Sequence, residues 1–102
     1  MAINMSIEEI KDVIESHKKE LKERYGVKEI GVFGSYVRGE QKETSDIDIL
    51  VSFYPDFNMD LIKFVELKCF LSDLLGINVD LVMKTALKPE IGEQILKEVV
   101  YV

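Results

Sequence analysis

The sequence predicts an α/β fold, and three observations carry that expectation. Apolar residues recur at helical spacing over 7–21, 59–75 and 91–99. Three short runs rich in β-branched residues, at 27–33, 46–53 and 77–83, lie between them, and glycine or proline stands at most junctions. A chain of 102 residues is enough for one domain, 1–102, with a core of its own, and leaves nothing for a separate substrate domain.

Ser6 followed by Glu9 is a capping box; Ile7, Ile10, Ile14 and Leu21 continue the period, and Gly26 offers a stop, which predicts one helix of about five turns. His17 lies on or near the apolar stripe and reads as a packing residue, since there is no second histidine to complete a metal pair. Val27 to Phe33 reads as a strand ended by Gly34, and Ser35 is expected to cap a short helix through Arg38 whose first N–H groups make an anion site. Gly39 to Ser45 is a polar loop, and Ser45 reads as a turn or capping residue.

The next strand, Asp46 to Phe53, is broken by Tyr54-Pro55-Asp56. From Met59 to Leu75 apolar residues cover more than one stripe before Gly76, so this helix is expected to be the most buried, with Met59 and its aromatics in the core. Ile77 to Met83 reads as a third strand with Ile77, Val79 and Leu81 on one face and Asn78, Asp80 and Val82 on the other. Lys88-Pro89 opens a last helix with Ile91, Ile95 and Val99 on one stripe, and Tyr101-Val102 can add a short strand.

Composition excludes several classes. With 47% hydrophobic and 31% charged residues the chain reads as an ordinary globular protein, with no run long enough for a membrane span and no signal-peptide character, so a cytoplasmic location is expected. A net charge of −6 argues against general nucleic-acid binding, which needs a basic surface. The single cysteine, Cys69, excludes an internal disulfide and is expected to be a buried core thiol.

The informative stretch is Gly34-Ser35-Tyr36-Val37-Arg38-Gly39, then Ser45-Asp46-Ile47-Asp48-Ile49-Leu50-Val51. In a strand, Asp46 and Asp48 share a face at roughly 7 Å between Cα atoms while the apolar residues share the other. Two such carboxylates repel by about 1 kcal/mol in water and by several times that where solvent is excluded, which invites a hard divalent cation. Asp80 can join them if its strand lies alongside, and burying unpaired acids among apolar strands has no stability rationale. Gly34-x4-Gly39 is not a P-loop, because Glu40 and Gln41 stand where Lys and Ser or Thr are required. A dinucleotide fingerprint lacks its third glycine, and Leu50 and Val51 stand where an EF-hand needs Asp or Asn and then Gly.

Gly34-Ser35, Arg38-Gly39, Ser45-Asp46-Ile47-Asp48 with Ile49-Leu50-Val51, and Val79-Asp80-Leu81 together resemble the minimal nucleotidyltransferase (MNT) family of the DNA polymerase β-like nucleotidyltransferase superfamily. The likeness covers nearly the whole chain. It implies a small mixed sheet of at least three strands with helices packed on one face and the acids on the other. It also implies transfer of a nucleoside monophosphate, most often from ATP, to a hydroxyl, with pyrophosphate released. Asp46 and Asp48 would bind two Mg²⁺ ions, or Mn²⁺, Asp80 would bind the catalytic ion and could help take the acceptor proton, and Gly34 and Ser35 would hold the β and γ phosphates. Arg38 either contacts a phosphate or pairs with Glu40.

The resemblance extends to a partner. Proteins similar to this family are commonly paired with a HEPN-domain toxin and act as its antitoxin by adenylylating a tyrosine. Acceptor recognition would then come from a partner or from self-association. The alternatives are an antitoxin that works by stoichiometric binding, and transfer to a small molecule such as an aminoglycoside.

Overall fold

The computed structural model describes residues 5–42 and 44–102; residues 1–4, and Glu43 of the expected loop, lie outside the described residues. The element order is α1 (Ile7–Ser16), α2 (Lys18–Tyr25), β1 (Val27–Phe33), α3 (Ser35–Arg38), β2 (Ile47–Phe53), α4 (Leu61–Leu75), β3 (Val79–Met83), a 3-10 turn (Lys84–Ala86), α5 (Pro89–Glu98) and β4 (Val100–Tyr101). The strands form one mixed sheet in the order β3-β2-β1-β4. β1 runs antiparallel to both β2 and β4, and β2 runs parallel to β3.

Strand alternation sorts the two faces. Ile30 and Val32 of β1, Ile47, Ile49 and Val51 of β2, and Val79 and Leu81 of β3 join Ile10, Ile14 and Leu21 and the Leu67, Leu71 and Leu75 stripe of α4 in one core. Asp48 and Asp80 therefore point to the opposite face. The helices α1, α2 and α4 cover the first face, whereas the end of α5 reaches the second: a Cβ added to Gly31 would lie 2.7 Å from Val99 Cγ2.

The capping box at Ser6 and Glu9 forms as expected, with the Glu9 N–H donating to Ser6 Oγ at 3.1 Å. The single five-turn helix does not form, because the chain breaks at His17. Ser16 Oγ donates to the Val13 carbonyl at 2.7 Å, the acceptor that the His17 N–H would use in a continuous helix, and that N–H turns instead to the Ile14 carbonyl at 3.0 Å. His17 packs edge-on to Phe70, with ring centroids 6.2 Å apart.

Two burial expectations are corrected, for α4 and for Cys69. α4 is not buried all round, since the sheet offers it only one face: Leu61 and Ile62 are 77% and 72% exposed, and Val65 is also exposed. Cys69 is exposed on the same helix rather than a core thiol. Ile91 is 60% exposed at the start of α5. Among the described residues, no helix is long and apolar enough to cross a membrane.

Candidate active site

The site forms where β1 hands over to α3. Gly34 has φ 82° and ψ −150°, a region that side chains rarely enter, and a Cβ there would lie 2.1 Å from Asp48 Oδ2. Glycine is required twice over, by its dihedral and by the carboxylate against it. Gly34, not Ser35, caps the four-residue helix, with its carbonyl accepting from the Val37 and Arg38 N–H groups, both at 3.1 Å. Ser35 is the first helical residue. Its N–H and that of Tyr36 have no carbonyl one turn behind them within α3.

Beneath this turn the parallel register sets Asp48 beside Asp80 and the antiparallel register sets it opposite Phe33. Burial, then the charge of Asp80 and the side-chain contact with it, then the charge of Asp46, push the Asp48 carboxyl up to about 6. Asp46 precedes β2 and is exposed, and its charge also bears on Tyr36, whose hydroxyl burial pushes upward. Arg38 does not stand free: Nε meets Glu40 at 2.8 Å and Nη1 meets Glu98 at 2.6 Å. Ser45 Oγ accepts from the Lys42 N–H at 2.8 Å, a turn contact. A cavity of about 240 Å³ opens beside Asp48, between Phe33, Gly34 and Arg38 and the Ile91, Gln94, Ile95 and Glu98 face of α5.

Two adjacent carboxylates, one of them raised by burial and by the charge of the other, and a third near enough to act on Asp48 by charge, suit a hard divalent ion. Among the described residues no three carboxylate, histidine or cysteine groups close around one point.

A pH dependence follows. The folded Asp48 carboxyl keeps its proton up to about 6 against an ordinary 3.8, so its contribution to stability is full below pH 4 and is lost as pH rises through 6. The loss is at most about 3 kcal/mol, and about half that once solvent screening in an open cleft is counted. Melting curves of the metal-free protein from pH 4 to 8 are expected to fall through this window and to flatten in Asp48→Asn. A slope equal in both proteins would contradict the crowding.

The family model described as "Nucleotidyltransferase domain" matches residues 14–102, and the chain belongs to that family. The chain is 58% identical over 98 residues to the protein adenylyltransferase MntA of Thermococcus cleftensis, covering 96% of this chain and 97% of the relative. A solved structure described as a candidate minimal nucleotidyltransferase superposes with a TM-score of 0.77 at 37% identity, covering 95% of this chain and 96% of the other. A Shewanella oneidensis complex of a tri-AMPylated HEPN toxin with an MNT antitoxin matches with a TM-score of 0.64 at 25% identity, over 90% of this chain and 70% of the other.

Sequence reasoning missed Glu98. A glutamate in the last turn of an amphipathic helix reads as solvated, and only the return of α5 onto the sheet brings it to Gly34.

Proposed function

We propose that the chain transfers AMP from ATP to a hydroxyl of a protein partner, a tyrosine of a HEPN-domain toxin, and so acts as its antitoxin. The observation that carries this reading is the Asp48–Asp80 pair lying directly across the β2–β3 register under the Gly34 turn. The likeness to an MntA adenylyltransferase and to an antitoxin found with an AMPylated toxin supports the donor and the partner.

In the reaction the acceptor oxygen bonds to the α-phosphorus, the bond from that phosphorus to the bridging oxygen breaks, and pyrophosphate leaves. Asp80 stands exposed beside Asp48, open to accept the hydroxyl proton. Ser35, through its hydroxyl and the N–H groups at the start of α3, grips the β and γ phosphates, with Arg38 at the rim. Asp46, Asp48 and Asp80 would hold Mg²⁺, which when bound would neutralise charge on the phosphates.

Millimolar Mg·ATP is expected to raise the melting temperature, since a ligand at 100 times its dissociation constant stabilises the native state by about 2.7 kcal/mol. The shift should shrink in Asp46→Asn; no shift in the native chain would count against the site. The function is tested by incubating the partner toxin with the chain, ATP and Mg²⁺ and weighing it by mass spectrometry. One or more AMP adducts, absent when Asp46, Asp48 and Asp80 are all asparagine, support the reading. Toxin neutralised equally by that triple variant would establish stoichiometric binding instead.

A further inference from the structure

The C-terminal helix ends in the turn assigned above to phosphate. Glu98, the last residue of α5, accepts the Gly34 N–H on Oε2 at 2.9 Å and meets Arg38 Nη1 with Oε1 at 2.6 Å. Its side chain is only 17% exposed. A carboxylate so withdrawn from water is tolerated when paired and hydrogen-bonded, and here both oxygens are used. Burial pushes the Glu98 carboxyl up, but Arg38 and the Gly34 N–H outweigh it and hold it below its ordinary range.

Two consequences follow for the turn. Gly34 is fixed at both ends of its residue: the N–H by Glu98 and the carbonyl by the Val37 and Arg38 N–H groups. The Gly34 N–H is thereby spent on the protein rather than offered to phosphate, which leaves the N–H groups of Ser35 and Tyr36 as the donors. The far end of the brace is anchored as well. β4 follows α5 directly and pairs Val100 with Val32 and Tyr101 with Gly31, and the Val102 N–H reaches the Ile30 carbonyl at 2.9 Å.

We infer that Glu98 is a positioning residue for the triphosphate: it clamps Gly34 and Arg38 so that Ser35 and the guanidinium meet the β and γ phosphates in a fixed geometry. The inference rests on the nucleotidyl-transfer reading of the site. A carboxylate that instead merely occupied the phosphate position would compete with ATP, and its removal would strengthen binding, which gives the two roles opposite signs.

The test compares the native chain with Glu98→Gln and Glu98→Ala by titration calorimetry against Mg·ATP and against AMP, alongside KM and kcat for transfer. Glu98→Gln keeps an acceptor for Gly34 and the side-chain volume but loses the charge facing Arg38, so it serves where the alanine variant fails to fold. ATP affinity is expected to fall about tenfold in Glu98→Gln, a loss of the size that one charge-assisted hydrogen bond confers, and further in Glu98→Ala. KM for ATP should rise in parallel, with a smaller change in kcat. AMP, which lacks the β and γ phosphates, should bind all three proteins equally. Unchanged or tighter ATP binding, or an equal loss for AMP and ATP, overturns the inference. The binding comparison needs no turnover: a native chain that binds Mg·ATP but transfers nothing defeats the transfer reading while still deciding the role of Glu98.

Discussion

Asp48→Asn is expected to reduce nucleotidyl transfer by on the order of a thousandfold and, in the absence of metal above pH 7, to raise the melting temperature. Both effects come from one crowded carboxyl. Asp48 sits against Asp80 and under Gly34, and burial with its acidic neighbours holds its proton up to about 6. Removing the charge relieves that repulsion in the empty protein. It also removes a proposed cation ligand, and losing about 4 kcal/mol of charge stabilisation corresponds to roughly a thousandfold in rate. Transfer assays and melting curves on the same preparations check the pair of effects. An active Asp48→Asn protein, or one less stable than the parent at pH 8, would contradict the assignment.

The second large effect is expected at Gly34→Ala. The new methyl would lie 2.1 Å from Asp48 Oδ2, at a residue held at φ 82°. Backbone strain of this kind costs about 1–3 kcal/mol, and each kcal/mol corresponds to about 4–8 °C in a domain of this size. The melting temperature should fall by roughly 10 °C, and transfer should be lost because the turn or the carboxylate must move. Gly39→Ala is the control for a positive-φ glycine with open space around it. Gly39 also has positive φ, 71°, but a Cβ there meets nothing within 4 Å, so it should cost about 1 kcal/mol and leave transfer in place. Equal behaviour of the two variants would show that contact with Asp48 does not matter.

Much of this arrangement was legible in residue order. The period-two alternation in Ile47 to Val51 and in Val79 to Leu81 separates Asp48 and Asp80 from the apolar residues whatever the sheet looks like, so that face could be read before the strands were assembled, whereas Asp46 lies just outside β2. Their meeting could not. Asp48 faces Asp80 through a parallel register between strands separated by a whole helix, and no local signal sets that register. At the break the Val13 carbonyl is engaged by the Ser16 hydroxyl and the His17 ring, contacts invisible to hydrophobic periodicity. Leu61, Ile62, Val65 and Cys69 misled for a related reason: apolar character on several stripes of α4 suggests burial, but a helix lying on a sheet has only one face to bury. Arg38 had two readings open, and the structure pairs it with Glu40 and adds Glu98, from 60 residues further along the chain.

The most direct test of the transfer chemistry is to supply ATP labelled at the α-phosphate or, separately, at the γ-phosphate, with Mg²⁺, the proposed partner toxin and either the native chain or Asp46→Asn/Asp48→Asn. Label is expected on the partner from α-labelled ATP only, and none with the variant. Label arriving from the γ-phosphate, or transfer that persists without the two aspartates, would contradict it.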